Sequence, residues 1–313
     1  MTAAVAAPDL RTLLGARLKL GEPLARYTSA RLGGPADYFV TAESAADLAE
    51  LVRTARGAGL EPVILGGGSN VLVADAGVRG LVILNRARAL EFRESAGRPA
   101  VWAESGANLG LLARQCAARG LGGLEWAATV PGTVGGAVFG NAGAHGGDTA
   151  GNLVVAAILQ QDGREEEWRG AELGFAYRTS RLKQAKAAGR PLVVLGAELA
   201  LTAGDPAALQ AQVEQFVAHR KRTQPPGASL GSMFKNPPGD YAGRLIEAAG
   251  LKGARRGQVE ISPVHANFFV NQGEARAADV FALIHQAHAA VLAQFGVDLE
   301  LEVELIGDWT GTC

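Results

Sequence analysis

Nine glycines fall within the 27 residues of LGGLEWAATVPGTVGGAVFGNAGAHGG, at positions 121–147, which we term the glycine-rich cradle. Larger residues such as Trp126 and Phe139 are interleaved with them, which indicates an ordered segment and not a flexible linker. Glycine lets the backbone approach a ligand closely, and successive amide N–H groups can form an anion-binding concavity. The cradle therefore predicts a phosphate or pyrophosphate site, with a glycine-rich bend between two packed strands as the alternative.

A second glycine-rich loop, Gly66-Gly67-Gly68-Ser69-Asn70, directly follows a short apolar strand predicted at 62–65. Two phosphate-binding loops favour a dinucleotide over a mononucleotide. The chain has no G-x-G-x-x-G motif, and this loop reaches neither a Walker lysine nor a helix start, which speaks against a Rossmann domain or a P-loop. A dinucleotide held by another fold is the prediction, with FAD as the leading candidate; a plain turn between two strands is the alternative.

Three polar side chains outside these loops could do chemistry. Arg178, beside Tyr177, could bind a carboxylate through two parallel hydrogen bonds, although a surface ion pair would use the same residue. Ser232, in the stretch GSMFKNP, could donate a proton if a neighbouring group supplied it, although turn serines are common. Glu302 lies on the acidic face of a predicted last strand, 298–305, and a solvated sheet face explains it equally well.

Composition limits the classes of partner. The 313 residues are 48% hydrophobic and carry a net charge of −1, which predicts a globular protein of about two domains that binds neither nucleic acid nor a membrane surface. The sequence contains no run of about 20 apolar residues, so no membrane span is expected. Cys116 and Cys313 are too few for a disulfide framework, and no basic region precedes the apolar N-terminus, so a cytoplasmic protein is expected. The five histidines and two cysteines lack metal-ligand spacing, so no metal is expected.

The elements that must position these residues mix helices and strands. Ser44 and Asp47 resemble a capping box at the start of one helix, and helices are also predicted at 108–119 and 205–222 and around Val280 and Ile284. Residues 153–159 and 166–168 predict a hairpin, and 173–178 predict a turn followed by a strand. The basic end of the 205–222 helix and the following Pro-Pro-Gly mark the main domain boundary.

Taken together, six stretches closely resemble the UDP-N-acetylenolpyruvoylglucosamine reductase (MurB) family. They are LGGGSNVLV (65–73), GLEWAATVPGTVGGAVFGNAGAHG (123–146), FAYRTS (175–180), GSMFKNP (231–237), HANFFVN (265–271) and LELEVELIG (299–307). The resemblance implies an α+β fold. It consists of an FAD-binding region of the vanillyl-alcohol-oxidase (PCMH) type in two subdomains, 1–84 and 85–217, and a C-terminal α+β substrate domain at 218–313.

The resemblance also implies an activity. Non-covalent FAD would be reduced by NADPH as co-substrate, and UDP-N-acetylglucosamine enolpyruvate would then be reduced to UDP-N-acetylmuramate for peptidoglycan precursor synthesis. Arg178, Ser232 and Glu302 are similar to the catalytic residues, with Ser232 as proton donor. The implied substrate-binding residues are Tyr177, Lys235, Asn236 and His265. The implied FAD-binding residues are Gly66, Gly67, Gly68, Ser69, Asn70, Pro131, Gly132, Thr133, Gly135, Gly136, Asn141 and Gly143.

Two departures from the family pattern qualify this. Leu301 stands where the family often has proline, so the choice of Glu302 over Glu300 or Glu304 rests on register. The segment 239–252 is short and resembles the branch of the family that lacks a substrate-covering tyrosine loop. Two alternatives stay open: a flavin oxidase of the same fold, and a non-catalytic flavin-binding protein. Covalent attachment of the flavin through histidine is typical of many such oxidases, and His145 is the only histidine in the cradle.

Overall fold

A computed structural model of the chain describes residues 8–310. Within that range the α-helices are α1 Pro8–Leu14, α2 Ala45–Gly57, α3 Leu109–Ala118, α4 Val134–Gly140, α5 Thr149–Asn152, α6 Arg181–Ala187, α7 Pro206–Thr223, α8 Ala242–Ala248 and α9 Ala277–Phe295. Single 3₁₀ turns lie at Gly15–Arg17, Leu24–Tyr27, Glu125–Thr129 and Gly170–Leu173.

Strands and helices are interspersed along the chain, which confirms the α+β class. They are β1 Lys19–Pro23, β2 Pro35–Ala42, β3 Val63–Leu65, β4 Val71–Val73, β5 Val78–Asn85, β6 Leu90–Ser95, β7 Arg98–Glu104, β8 Leu121–Gly122, β9 Gly143–Ala144, β10 Gly147–Asp148, β11 Leu153–Leu159, β12 Glu165–Arg169, β13 Val193–Ala200, β14 Thr202–Ala203, β15 Ala228–Ser232, β16 Arg255–Arg256, β17 Val259–Ile261, β18 Phe268–Asn271 and β19 Glu304–Ile306.

The chain divides into two compact units that alternate along the sequence. Unit 1 contains the described residues through Lys19 together with Phe39–Gly67 and Leu81–His219. Unit 2 contains Leu20–Tyr38, Gly68–Gly80 and the chain from Arg220 onward. The domain limits given above at 84 and 217 stay a prediction.

Unit 1 is built on an antiparallel sheet of five strands in the order β12-β11-β13-β7-β6. The central strand β13 is buried along almost its whole length, as expected for a strand with a neighbour on each side. Helix α3 begins where the Asn108 side chain accepts a hydrogen bond from the amide of Leu111 at 2.8 Å. Its apolar face packs into the same core as α4 and the sheet, and the buried members include Val101, Leu112, Trp126, Val138, Ile158 and Leu199.

The strand that leads into the first glycine loop lies at a sheet edge. The order of this four-stranded sheet is β1-β2-β5-β3, and β3 pairs in parallel with β5, with Ile64 opposite Ile83. Because β3 ends at Leu65, the chain leaves the sheet directly into Gly66.

Unit 2 is built on the antiparallel sheet β15-β18-β17-β16, with α8 and α9 sharing its core. Helix α9 begins where the carboxylate of Asp75 accepts hydrogen bonds from the amides of Ala277 and Ala278, at 2.8 and 2.9 Å. An acidic side chain placed there both satisfies helix N–H groups and complements the helix dipole. The last strand, β19, pairs in parallel with β4.

Two local predictions are wrong. Residues 298–305 do not form one alternating strand, because Leu301 makes an isolated antiparallel bridge to Phe234 and the chain then changes partner to form β19 beside β4. Residues 173–178 do not form a turn followed by a strand, because the chain ends a 3₁₀ turn at Leu173 and then makes a tight turn at Tyr177 and Arg178. Alternation in sequence specifies neither the local turn closed by Ala176 and Thr179 nor the change of partner in the 298–305 segment. The helix predicted from Ser44 is confirmed, and its Oγ accepts the amide of Asp47 at 3.1 Å.

None of the helices between residues 8 and 310 has the length and apolar character needed to cross a bilayer.

Candidate active site

The two glycine-rich segments meet in unit 1. A Cβ atom added at Gly67 would lie 2.8 Å from the Cα of Gly132, and one added at Gly66 would lie 2.6 Å from the Oγ1 of Thr133. Real Cβ atoms essentially never show distances below 3.0 Å. Gly67 is therefore required by the backbone of Gly132, and a Cβ at Gly66 would displace the Thr133 side chain. The two loops that the sequence assigns to one dinucleotide are therefore in direct contact.

The amide groups at this contact suit an anionic ligand. For the N–H groups of Gly66, Gly67, Gly132 and Thr133, the part of the chain that the structure describes provides no hydrogen-bond acceptor. Gly67 and Pro131 are exposed, and Gly132 adopts φ = 106°, a conformation that side chains disfavour. Successive backbone N–H groups without backbone acceptors can bind phosphate oxygens, and the close approach of the two loops leaves no side chain between them. The residues present therefore fit the pyrophosphate of a dinucleotide.

Other members of the predicted binding set have different surroundings. Gly135 lies in the first turn of α4, where an added Cβ would lie 2.8 Å from the Cβ of Ser105, and Gly136 is exposed. Gly68 belongs to unit 2, and its backbone at φ = 61° lies directly against Tyr27. In the same unit, the side-chain Nδ2 of Asn70 donates to the carbonyl of Glu302 at 3.0 Å.

Arg178 lies in a tight turn that is fastened to the end of the cradle. Its guanidinium donates to the carbonyl oxygens of Asn141 at 3.3 Å and Gly143 at 2.8 Å, and it lies 5.1 Å from the ring centroid of Tyr177. Next to the turn, the buried Ser180 hydroxyl donates to the carbonyl of Phe139 at 2.6 Å. The structure thus brings together Arg178, Tyr177, Asn141 and Gly143 in unit 1.

Ser232 ends β15 in unit 2, where it pairs with Phe268 of β18. Beyond it, the amide of Glu302 donates to the carbonyl of Met233 at 2.8 Å, and the amide of Lys235 donates to the carbonyl of Glu300. These bonds place the backbone of Glu302 beside the residue that follows Ser232. The backbone of Glu302 therefore lies opposite Met233, and the shared role of Ser232 and Glu302 stays a prediction.

A buried asparagine holds the segment after Ser232 in place. The Asn267 side chain accepts the amide of Phe234 at 2.9 Å and donates to its carbonyl at 2.8 Å, so it occupies both backbone groups as a neighbouring strand would. Asn267 is 2% exposed. Asn267 lies in the stretch HANFFVN that resembles the family, but nothing in the sequence linked it to Phe234. Ser180 lies in the stretch FAYRTS and caps α6, but the sequence gave no sign of its bond to Phe139.

Lys235 and Asn236 follow on the same segment. The Lys235 ammonium pairs with the exposed carboxylate of Glu300, and the Oδ1 of Asn236 accepts the amide of Ala242 at 3.1 Å at the start of α8. Lys235 is held close to the acidic 300–304 segment, where its charge offsets part of the repulsion between carboxylates. Both residues remain predicted substrate contacts.

His265 is packed between α8 and β18. An added Cβ at Gly243 would lie 2.8 Å from its Cε1, its ring meets Phe268 at 4.9 Å, and its Nδ1 accepts the amide of Asn267 at 3.2 Å. Burial lowers the pKa of His265 below its usual value, and the nearby Lys252 charge lowers it further. The ring is therefore neutral at pH 7.

Between residues 8 and 310 the structure shows no group of three or more histidine, cysteine or acidic side chains placed to hold a metal ion. The buried Cys116 thiol has its pKa raised to about 12 by desolvation, so it stays protonated and unreactive at neutral pH. Cys313 lies outside the described residues.

Comparison with known proteins defines the class. Residues 36–165 match the family model described as an FAD binding domain, and residues 221–306 match that of the UDP-N-acetylenolpyruvoylglucosamine reductase C-terminal domain. The first range contains both glycine loops, and the second contains Ser232, His265 and Glu302. The chain therefore belongs to the FAD-binding oxidoreductases.

Whole-chain relatives narrow this class. The UDP-N-acetylenolpyruvoylglucosamine reductase of Chloroflexus aggregans is 47% identical over 92% of this chain and 97% of its own length. That of Rubrobacter xylanophilus is 46% identical over 93% and 95%. The crystal structure of the Thermus caldophilus reductase (MurB) matches with a TM-score of 0.76 and 36% identity, over 92% of this chain and 98% of that one. The chain belongs to the UDP-N-acetylenolpyruvoylglucosamine reductase family, which confirms the resemblance.

Gly67→Ala should weaken FAD binding, because its Cβ would push the first loop away from Gly132. Overpacking of this kind costs about 1 to 3 kcal/mol, which corresponds to about 5- to 150-fold in Kd. Equilibrium titration of apoprotein with FAD, followed by flavin fluorescence, measures this. Gly57→Ala, at the open end of α2, is the matched control and should bind FAD as the wild type does. Equal FAD affinity in the two variants would show that the contact between Gly67 and Gly132 does not contribute to FAD binding.

Asn267→Ala should destabilise unit 2, because it leaves the amide and carbonyl of Phe234 buried without partners. Each such group costs about 1 to 3 kcal/mol. Asn271→Ala on the same strand is the control. Its half-buried side chain donates to the carbonyl of Ala30 and accepts the amide of Gly273, so the loss there should be about 1 kcal/mol for each bond. Urea unfolding followed by intrinsic fluorescence compares the two, and a smaller loss for Asn267→Ala would contradict the assignment.

His265→Gln should reduce the loss of stability on acidification. Because the folded-state pKa is lowered, the unfolded chain takes up a proton first as pH falls below about 6.5, and the stabilisation by the neutral ring is lost from there downward. Melting temperatures measured at pH 7 and pH 5 should differ less in this variant than in the wild type. His285 is exposed, and His285→Gln is the control. If the difference in melting temperature between pH 7 and pH 5 changes equally in both variants, the prediction is wrong.

Proposed function

We propose that this chain is an NADPH-dependent flavin reductase that converts UDP-N-acetylglucosamine enolpyruvate to UDP-N-acetylmuramate. The observation that carries the proposal is the match to reductases over more than nine-tenths of both chains, with Arg178, Ser232 and Glu302 all present. When bound, FAD supplies the hydride that it has received from NADPH. The rest of the reaction requires that the protein bind the substrate and transfer one proton to it.

Arg178 and Glu302 are proposed to act on the substrate carboxylate. Hydride addition at C3 of the enolpyruvyl group pushes negative charge through C2 into that carboxylate, which gives an enolate-like species. A fixed guanidinium stabilises such charge without reorganisation at the moment of reaction. The two cradle carbonyls that hold Arg178 support this role, because they limit the positions that its charge can occupy. Glu302 can hydrogen-bond the same group if it is protonated.

Ser232 is proposed to deliver the proton to C2. Its position at the end of β15, one residue before the carbonyl that accepts the amide of Glu302, supports the pairing of these two side chains in one reaction. A hydroxyl is a weak acid, so another group must return the proton to Ser232 after each turnover. Tyr177, Lys235, Asn236 and His265 are proposed to bind the sugar nucleotide.

The place of action and the choice of ligand are also proposals. A net charge of −1 and only two cysteines support a cytoplasmic protein whose partners are nucleotides of low molecular mass and not nucleic acids. Such a protein would contribute to cell-wall growth through the precursor that it makes.

Ser232→Ala should separate the two half-reactions. Reduction of the bound flavin by NADPH should proceed at the wild-type rate, and reoxidation by the enolpyruvyl sugar nucleotide should slow by about 10² to 10⁴-fold, the usual contribution of a general acid. Anaerobic stopped-flow absorbance at the flavin band measures both steps, and product analysis identifies the reduced sugar nucleotide.

Ser229→Ala on the same strand is the matched control and should leave both steps unchanged. Wild-type reoxidation in Ser232→Ala would show that another group donates the proton. Rapid reoxidation of the wild type by oxygen, with no reaction with the enolpyruvyl compound, would instead identify a flavin oxidase.

A further inference from the structure

The turn that carries Arg178 holds this residue in a disfavoured backbone conformation. Ala176 and Thr179 exchange two backbone hydrogen bonds, at 3.1 and 3.2 Å, and leave Tyr177 and Arg178 as a two-residue loop. Arg178 adopts φ = 55°, in the left-handed region where the Cβ of an L-residue is crowded. Backbone strain of this kind persists only where surrounding contacts fix it, and it is common at functional sites. The contacts that fix this turn therefore bear on the position of Arg178.

Asn141 contacts this turn at two points. Its side-chain Nδ2 donates to the carbonyl of Ala176 at 3.1 Å and to Asp148 at 3.3 Å, and its Oδ1 accepts the amide of Ala150 at 3.0 Å. Its own carbonyl accepts the Arg178 guanidinium. Asn141 thus contacts both the backbone of the turn and the end of the Arg178 side chain.

The geometry of Asn141 itself is that of a structural anchor. The residue is 3% exposed and terminates α4 at φ = 45° and ψ = 61°, a conformation that asparagine tolerates better than most residues. An asparagine amide has two N–H donors, and here both point to protein acceptors. Asp148 is fixed in turn, because it accepts the amide of Gly151 at 3.0 Å at the start of α5. Asn141 is therefore fixed at the end of α4 and at the start of α5.

We propose that Asn141 is a positioning residue for Arg178, and that it acts on substrate reduction through the turn and not by binding the flavin. This inference rests on the proposed role of Arg178. It replaces the expectation, drawn from the family resemblance, that the Asn141 side chain contacts the cofactor. Loss of the side-chain amide leaves the Ala176 carbonyl with only the local bond from Thr179 and frees the turn from the end of α4, so the turn relaxes and the guanidinium is displaced from the cradle.

Asn141→Gly is the principal test, because glycine accepts the left-handed backbone and removes only the side chain. In anaerobic stopped-flow measurements on FAD-loaded protein, the maximal rate of flavin reoxidation by the enolpyruvyl sugar nucleotide should fall about 10- to 100-fold, the effect of a displacement of about 1 Å. FAD content and the rate of reduction by NADPH should stay within about twofold of the wild type, in line with the expected additivity of uncoupled sites.

The double variant Asn141→Gly with Arg178→Ala distinguishes action through Arg178 from a separate effect. If Asn141 acts through Arg178, adding Asn141→Gly to Arg178→Ala should cause no further loss in reoxidation rate. An equal loss in both backgrounds, or loss of FAD from the single variant, would overturn the inference. Wild-type reoxidation in Arg178→Ala alone would instead refute the proposed role of Arg178, so the two failures are distinguishable.

Two further variants complete the test. Asn141→Asp keeps the acceptor and tolerates the left-handed backbone, but it lacks the donor to Ala176, so it should show the same coupling to Arg178. Asn152→Ala is the matched control: it removes amide hydrogen bonds to Ala200 and Trp126 in the same unit without touching the turn, and both half-reactions should stay at wild-type rates. Failure of both Asn141 variants to fold with FAD would contradict the proposal, because it would assign Asn141 to the stability of the whole unit.

Discussion

The close approach of Gly67 to Gly132 is the constraint on which the FAD-binding unit depends. No side chain fits between these two backbones, so the loop after β3 and the segment before α4 present amide groups in place of side chains. Helix α4 follows directly and ends at Asn141, and the carbonyls of Asn141 and Gly143 hold the Arg178 guanidinium. One continuous run of backbone therefore both provides the surface proposed to bind phosphate and holds an arginine proposed to act in the reaction.

Buried side-chain amides hold functional segments in both units. Asn141 bonds the turn before Arg178, and Asn267 bonds both backbone groups of Phe234, close to Ser232. An amide carries a donor and an acceptor without charge, so it can replace a backbone partner in a buried place without the desolvation cost of an ion. Neither asparagine belongs to the predicted catalytic set, yet each lies beside a member of it.

The sequence predicted most of the fold because most of its elements are specified locally. The Ser44 cap, the helices at 108–119 and 205–222 and the hairpin at 153–168 all have their own start signals and apolar faces, and the structure has each of them. The glycine loops and the candidate residues were also identified, since their composition is unusual. The predictions for 173–178 and 298–305 were wrong. The first segment contains a two-residue turn closed by Ala176 and Thr179, to which Asn141 adds one bond, and the second changes partner from Phe234 to β4. Alternation along the sequence reveals neither feature.

By itself the sequence determined the family, the α+β class and the residue types available for binding a dinucleotide and an acid, because six separate stretches carry that information in order. Only the tertiary structure decided which glycines are required by contact. A glycine is required for packing only where another atom occupies the space of its Cβ, and the sequence does not show which atom lies there. The tertiary structure also decided that Arg178 occupies a left-handed turn, that Glu302 lies beside the residue after Ser232, and that Asn141 and Asn267 hold those segments. Hydrogen bonds between residues 33 or 35 positions apart leave no periodic trace along a single chain.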